Sequence, residues 1–186
     1  MNFYIADLHI GHTNILRLSQ RPFADCTAMY KAICNNWNAR VMPTDDVYIL
    51  GDLFFKTSPQ AQLEMLRSLK GTKHLIMGNH DRDFNADVRK EFVSIRYYDK
   101  IIDNGRKVVL CHYPMLEWDG FFRDTYHLFG HIHNNFATQT YRIIKSNPEH
   151  FKNAYNVGAD VIGFTPRTLD ELIQMRKADN IHPGIL

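Results

Sequence analysis

Short apolar runs that stop abruptly at polar residues recur along the first half of the chain. NFYIAD at 2–7 reads as a buried strand ending at Asp7, and DDVYILGD at 45–52 as a second strand that delivers Gly51 and Asp52. KHLIMGNHD at 73–81 repeats the plan with a short strand, a glycine and a polar tip. Between these runs the period changes. Met29, Ile33, Trp37 and Val41 recur every four residues, which predicts a helix over roughly 26–41 capped by Asp25 and stopped by Pro43. Ser58-Pro59 opens a second helix carrying Leu63, Leu66 and Leu69 before Gly71 ends it. Strand, polar tip, helix, strand is the α/β pattern, in which ligands collect at the carboxyl ends of the strands.

The second half has a different rhythm. RYYDKIID and RKVVLCHYP flank Asn104-Gly105, a strong two-residue signal for an antiparallel hairpin. Further strands are expected at Tyr126–Phe129 and Ala154–Val157, and TLDE at 168–171 has the form of a capping box at the start of a helix. No linker, repeat or low-complexity stretch interrupts the pattern, so residues 1–186 are expected to form a single α/β domain.

Composition changes this picture little. The chain of 186 residues is 45% hydrophobic and 23% charged, which is ordinary globular usage. A formal net charge of +2 with scattered basic residues neither names nor excludes an acidic partner. Cys26, Cys34 and Cys111 are odd in number and lack CxxC spacing, so neither a disulfide framework nor a zinc ribbon is expected and a cytoplasmic setting fits best. Neither a signal peptide nor a membrane span is expected from the apolar runs.

The polar tips carry the chemistry. In order they are Asp7-Leu-His9, Gly51-Asp52, Gly78-Asn79-His80-Asp81, His112 and Gly130-His131-Ile-His133. Carboxylates supply charge and can bridge, imidazoles hold borderline metals such as Mn, Fe, Zn or Ni, and an amide oxygen completes a donor set for divalent cations. If each strand end stays extended, residues i and i+2 point the same way, so Asp7 with His9 and His131 with His133 can each aim two side chains into one cleft. Glycines at 51, 78 and 130 would let the backbone turn sharply beneath crowded ligands.

These blocks resemble the signature of the calcineurin-like metallophosphoesterases, D-x-H, G-D, G-N-H-[DE], H and G-H-x-H, all present in order over residues 7–133. NVGAD at 156–160 is similar to a strand found in small members. The resemblance implies a sandwich of two mixed β-sheets flanked by helices with two divalent metal ions (Mn, Fe, Zn, Ni or Mg) at the strand ends. Carried onto matching positions, Asp7, His9 and His133 resemble the ligands of one metal, Asn79, His112 and His131 those of the other, Asp52 the bridge, and His80 the general acid. The implied activity is hydrolysis of phosphate esters, most of all as a phosphodiesterase or broad phosphoesterase, with a metal-bridging hydroxide as nucleophile. The alternatives are a phosphomonoesterase, a nuclease or cyclic-nucleotide phosphodiesterase, and more remotely a non-catalytic metal-binding scaffold of the same fold. The implied partner is a phosphate-ester substrate, with a nucleotide or nucleic acid among the candidates, and no membrane.

One departure stands out. In the phosphoprotein-phosphatase branch an aspartate three residues after the bridge orients the catalytic histidine and an arginine follows, whereas this chain has Phe55 and Lys56 there. That argues for a smaller, simpler branch. Lys56 is a candidate phosphate contact or a solvated lysine, and His12 lines the cleft or caps the next turn. Asp81 is equally a loop cap or a catalytic group. Cys111 should face away from the site as a buried small hydrophobe. Tyr113, Trp118 and Arg123 lie in a loop that either covers the site as base and phosphate contacts or simply packs on the surface. His74, His150 and His182 carry no motif, so packing or surface roles suffice.

Overall fold

Asp25 and Ser58 start the two helices that the spacing predicts, each accepting a hydrogen bond from the backbone N–H three residues on, of Ala28 and Ala61. The computed structural model describes residues 1–82 and 84–178. Within them the chain runs β1 (Asn2–Ile5), α1 (Ile15–Leu18), α2 (Cys26–Arg40), β2 (Asp46–Ile49), α3 (Pro59–Ser68), β3 (Thr72–Ile76), α4 (Ala86–Lys90) and β4 (Ser94–Arg96). It continues through β5 (Tyr98–Asp103), β6 (Arg106–Cys111), a 3₁₀ turn at Phe121–Arg123, β7 (Tyr126–Phe129), α5 (Gln139–Ser146), β8 (Ala154–Asn156) and α6 (Leu169–Ala178).

The strands form two four-stranded sheets, ordered β1-β2-β3-β4 and β5-β6-β7-β8. This is the expected two-sheet α/β architecture. In the second sheet β5 and β6 are antiparallel and the rest parallel. The named strands of the first sheet are all parallel, and the antiparallel contact there is an isolated bridge between Tyr4 and Arg167. A parallel sheet is covered on both faces, and accordingly Phe3, Tyr4 and Ile5 are all buried in succession.

Alternation along the second sheet shows how the layers stack. Val108, Leu110, Leu128 and Tyr155 join the first sheet and helices α2, α3 and α6 in the main core, while Val109, Phe129 and Ala154 face a smaller cluster with Trp118, Ile132, Ile144 and Phe151. Side chains one residue apart thus serve different cores, as the period of a strand requires.

Asn104 and Gly105 both adopt positive φ, 48° and 79°, so the hairpin is the tight turn the dipeptide signals. At α6 the capping box closes in both directions. The Thr168 N–H donates to Glu171 Oε2 at 3.0 Å and the Glu171 N–H to Thr168 Oγ1 at 3.3 Å. Thr168→Ala removes one of these acceptors, and a loss of about 1 kcal/mol in unfolding free energy is expected in a denaturant titration.

Candidate metal centre

All five polar tips meet at the carboxyl ends of the strands, but not through extended backbone. Asp7, His9, Asp52, His131 and His133 have φ of 56°, 49°, 53°, 71° and 51°. These left-handed residues lie past the ends of β1, β2 and β7, at Ile5, Ile49 and Phe129. A continued strand would carry the chain outward by ~3.3 Å per residue. The left-handed residues turn it back on itself, so Asp7 and His9, and likewise His131 and His133, converge through curled loops rather than strand alternation. Each such residue costs about 1–3 kcal/mol and persists only where its surroundings hold it.

Two kinds of constraint hold these loops. Gly51, at φ 90°, must turn, and a Cβ there would overlap His112 Nδ1. Gly78 and Gly130 have ordinary φ, so their need is space, because a Cβ would strike Asp52 and Asp7 respectively. Asp81 supplies the second constraint. Its fully buried carboxylate accepts from the N–H groups of Asp52 (2.6 Å), Leu53 (3.0 Å) and Gly78 (2.9 Å), tying the loop after β2 to the loop after β3. Asp81 is therefore a loop clamp.

The atoms that face the centre are acceptors. His112 Nδ1 donates to the Leu50 carbonyl at 2.8 Å, so its Nε2 carries a lone pair, which faces Asn79 Oδ1 at 3.3 Å and Asp52 Oδ2 at 3.7 Å. His133 Nδ1 lies 2.6 Å from Asp160 Oδ2, which turns another lone pair, on Nε2, towards His9 Nε2 at 3.2 Å. His9 Nε2 is in turn 3.5 Å from Asp52 Oδ2. His131 Nδ1 is 3.1 Å from Asn79 Oδ1. Asp7, His9 and His133 offer one close group of donor atoms and Asp7, Asp52 and His112 another, each within 4.8 Å. Two buried carboxylates, an amide oxygen and imidazoles that turn a ring nitrogen inward make a donor set that fits divalent metal.

Protonation tendencies agree. Burial pushes the Asp7 carboxyl up to about 6 and the His9 imidazole down to about 2, and it lowers His131 as well. His133 moves the other way. Burial alone would lower it, but the hydrogen bond to Asp160 and the Asp7 charge raise it overall. Asp7 and His9 are thus driven towards their uncharged forms, while His133 is favoured as a cation between two carboxylates, so the centre is one that attracts positive charge.

The remaining predicted residues divide. His12 stacks on Phe55 with ring centres 3.9 Å apart and lines the cleft, and it makes this contact rather than capping the turn. Lys56 lies on the outer side of Phe55, its Nζ 5.5 Å from the ring centre. Tyr113 packs its ring edge on His131 and His112 at 4.6 and 4.9 Å. Trp118 does not reach the cleft. It is buried against Phe121 and His127 in the smaller core, with Nε1 donating to the Thr125 carbonyl. Arg123 lines a separate cavity with Lys100 and Lys107. His80 is half-exposed, its ring edge-on to Phe55 (5.3 Å) and His9 (5.4 Å), its Nε2 3.9 Å from Asp52 Oδ2 and its N–H donating to Asp52 Oδ1 at 2.9 Å. Phe55 thus packs the face where the missing aspartate would stand.

Away from the cleft, His74 pairs with Asp46 and Ser94, His150 bonds to the Leu116 carbonyl, and His182 lies outside the described residues. Cys111 is half-buried and unpaired, as are Cys26 and Cys34. No helix among the described residues is long and apolar enough to cross a membrane. Two residues of the centre's surroundings escaped sequence reasoning. Asp160 and Arg21 form a buried ion pair directly behind His133, with Arg21 Nε 2.6 Å from Asp160 Oδ1. The signal available was the NVGAD segment, which ends in Asp160.

A two-sheet α/β fold whose strand-end loops gather carboxylate, imidazole and amide acceptors defines a metal-site protein of the phosphoesterase type. The sequence profile of the calcineurin-like phosphoesterases matches residues 3–162, and the chain belongs to that family. Uncharacterized protein MJ1445 of Methanocaldococcus jannaschii is 33% identical over 178 residues, covering 93% of this chain and 89% of that one. The crystal structure of the protein of unknown function AQ665 from Aquifex aeolicus has the same fold, with a TM-score of 0.72, 24% identity, and coverage of 94% of this chain and 98% of that one.

Because the centre is made of acceptors, cation binding should stabilise the folded state. At a metal concentration ~100 times Kd the gain is about 2.7 kcal/mol, read as a rise in Tm that EDTA reverses. A Tm indifferent to Mn, Fe, Zn, Ni and Mg would contradict the metal reading.

Proposed function

We propose that this protein hydrolyses phosphodiesters with two divalent cations held in the strand-end centre. Asp7, His9 and His133 would hold one cation, and Asn79, His112 and His131 the other. Asp52 lies between the two sets. The observation that carries the reading is the position of Asp52 Oδ2, 3.5 Å from His9 Nε2 on one side and 3.7 Å from His112 Nε2 on the other. A single oxygen flanked by one imidazole from each set is the arrangement a shared ligand needs. When bound, such a metal pair supplies a water of lowered pKa and positive charge for the phosphate oxygens.

The chain's own residues do the rest. The departing alkoxide needs a proton, and the His80 imidazole stands at the mouth of the centre where it can give one. Phe55 and His9 fix its ring by packing on it, and its backbone N–H is tied to the Asp52 carboxylate, so Asp52 and two rings orient it where an aspartate at position 55 is missing. The cleft has a volume of about 430 Å3, and no Lys or Arg stands among the described residues that line it. A phosphate monoester carries nearly two charges at neutral pH, since its second pKa is about 6. A diester carries one charge and a second ester group. Ile15, Leu18 and Ile132, with the hydroxyls of Thr138 and Thr140, form a neutral wall suited to that group.

His80→Ala should lower turnover by roughly 10²–10⁴-fold with metal content unchanged. Unchanged turnover would remove His80 from the mechanism. In the metal-reconstituted protein bis-p-nitrophenyl phosphate should be cleaved faster than p-nitrophenyl phosphate, and a reversed preference would favour the monoesterase alternative. Asp52→Asn is the control, losing metal and activity together.

A further inference from the structure

The loop Asp7-Leu8-His9 and the imidazole of His133 come from opposite halves of the chain, yet one guanidinium holds them both. Arg21 is buried, and it donates through Nη2 to the Asp7 carbonyl at 2.7 Å and through Nη1 to the Leu8 carbonyl at 2.8 Å. The same side chain is ion-paired to Asp160, with Nη2 donating to Oδ2 at 3.2 Å and Nε 2.6 Å from Oδ1. Asp160 then accepts from His133 Nδ1 at 2.6 Å. A carboxylate held between a buried guanidinium and an imidazole has little freedom to rotate, which favours the His133 ring as the Nδ1–H form with Nε2 presented to the centre.

We propose that Arg21 and Asp160 are positioning residues for the cation site formed by Asp7, His9 and His133, and that they set its affinity without governing the neighbouring site. The proposal rests on the two-metal reading above. Its selectivity follows from where the contacts go. Arg21 meets the peptides on either side of Leu8, between two residues held at positive φ, and reaches His133 through Asp160. On the other side the His112 ring takes its orientation from the Leu50 carbonyl and the His131 ring from Asn79, so neither ring bonds to Arg21 or Asp160, and the remaining tie is the His131 backbone N–H on the Asp7 carboxylate. Asp160 is itself anchored to the end of β1, because the Ala159 N–H donates to the Ala6 carbonyl at 2.8 Å. Both halves of one ligand set are thus referenced to a single rigid point.

The test is a calorimetric Mn titration of the apo protein together with NMR of the histidine ring nitrogens. The wild type should bind two ions. Asp160→Asn, which keeps an oxygen for His133 but removes the charge that holds Arg21, should bind one ion as the wild type does and the other roughly 10–100-fold more weakly. Because Asp160→Asn leaves Arg21 without its counter-charge and could fail to fold, the paired variant Arg21→Met/Asp160→Leu strands no charge, and should fold, show the same selective loss, and let the His133 ring sample both protonated nitrogens. Two ions bound with wild-type affinities in these variants, or equal weakening of both sites with the His133 nitrogens unchanged, would overturn the proposal. A wild type that binds no cation at all would instead bring down the metal reading, and this inference with it.

Discussion

The end of β1 is hydrogen-bonded to both sheets at once, and the centre depends on that seam. The Asp7 N–H donates to the Gly51 carbonyl at 2.9 Å, at the end of β2. One residue earlier the Ala6 N–H donates to Val157 at 2.8 Å, and the Ala6 carbonyl accepts from Ala159, both beyond β8. The Asp7 carboxylate then accepts from the His131 N–H at 2.9 Å, beyond β7. Strands of two sheets that would otherwise diverge are gathered at their carboxyl ends, and the loops between them must curl. The left-handed backbone at five polar positions is the consequence of this gathering, and the surrounding ladder is what keeps each of those residues in a conformation it would leave if free.

Gathering acceptors in a buried place has an electrostatic price. Asp7 and Asp52 are almost wholly removed from solvent, as are His9 and His112. Burial works against the charged form, and it raises the Asp7 carboxyl and lowers the His9 imidazole accordingly. The Arg21–Asp160 pair shows how the fold manages charge next to this centre. Both side chains are buried, so removing either partner would leave a charge uncompensated at about 3–5 kcal/mol. The pair offsets that cost with bonds to two carbonyls and one imidazole, which makes it a rigid reference point.

Features that rest on a local hydrogen bond were legible in the sequence. Asp25, Ser58, Asn104-Gly105 and the Thr168–Glu171 box each act within three residues, so their types and spacing suffice. Residues that converge on one charge were legible too, because carboxylate, amide and imidazole at successive strand ends have few other uses. The backbone that brings them together was not, since positive φ at Asp7 or His133 is imposed by distant ladders. Arg21 escaped for the same reason. Its partner Asp160 lies 139 residues away, and nothing around Arg21 distinguishes it from a surface arginine. Trp118 and Arg123 were misleading because an aromatic and a cation after His112 look like ligand contacts, whereas the 3₁₀ turn at Phe121–Arg123 folds Trp118 inward onto His127 and leaves Arg123 on another face. The short elements α1, α4 and β4 carry little periodicity of their own and are held by packing against the sheets, and α5, though Tyr141 and Ile144 mark a buried face, is a short helix of eight residues.

The chain thereby separates two tasks. Every group of the candidate metal centre comes from a strand-end loop, fixed by two sheets, by the Asp81 clamp and by the Arg21–Asp160 pair. Much of the wall of the cleft comes from elsewhere: Ile15 and Leu18 from α1, and Asn135, Thr138 and Thr140 from the start of α5 and the segment leading into it. These wall segments lie outside the ladders, and Leu18 is largely exposed. Changes in exposed side chains there alter the shape of the cleft without touching a side chain of the acceptor cluster, although the α1 backbone is itself tied to Arg21, whose backbone N–H donates to the Leu16 carbonyl at 2.8 Å. His12 and Phe55 stand at the boundary, stacked on each other, with Phe55 also packed on His80. A substitution at Phe55 therefore acts on both, moving the His80 ring and reshaping the wall together, whereas one at the exposed Leu18 acts on the wall alone.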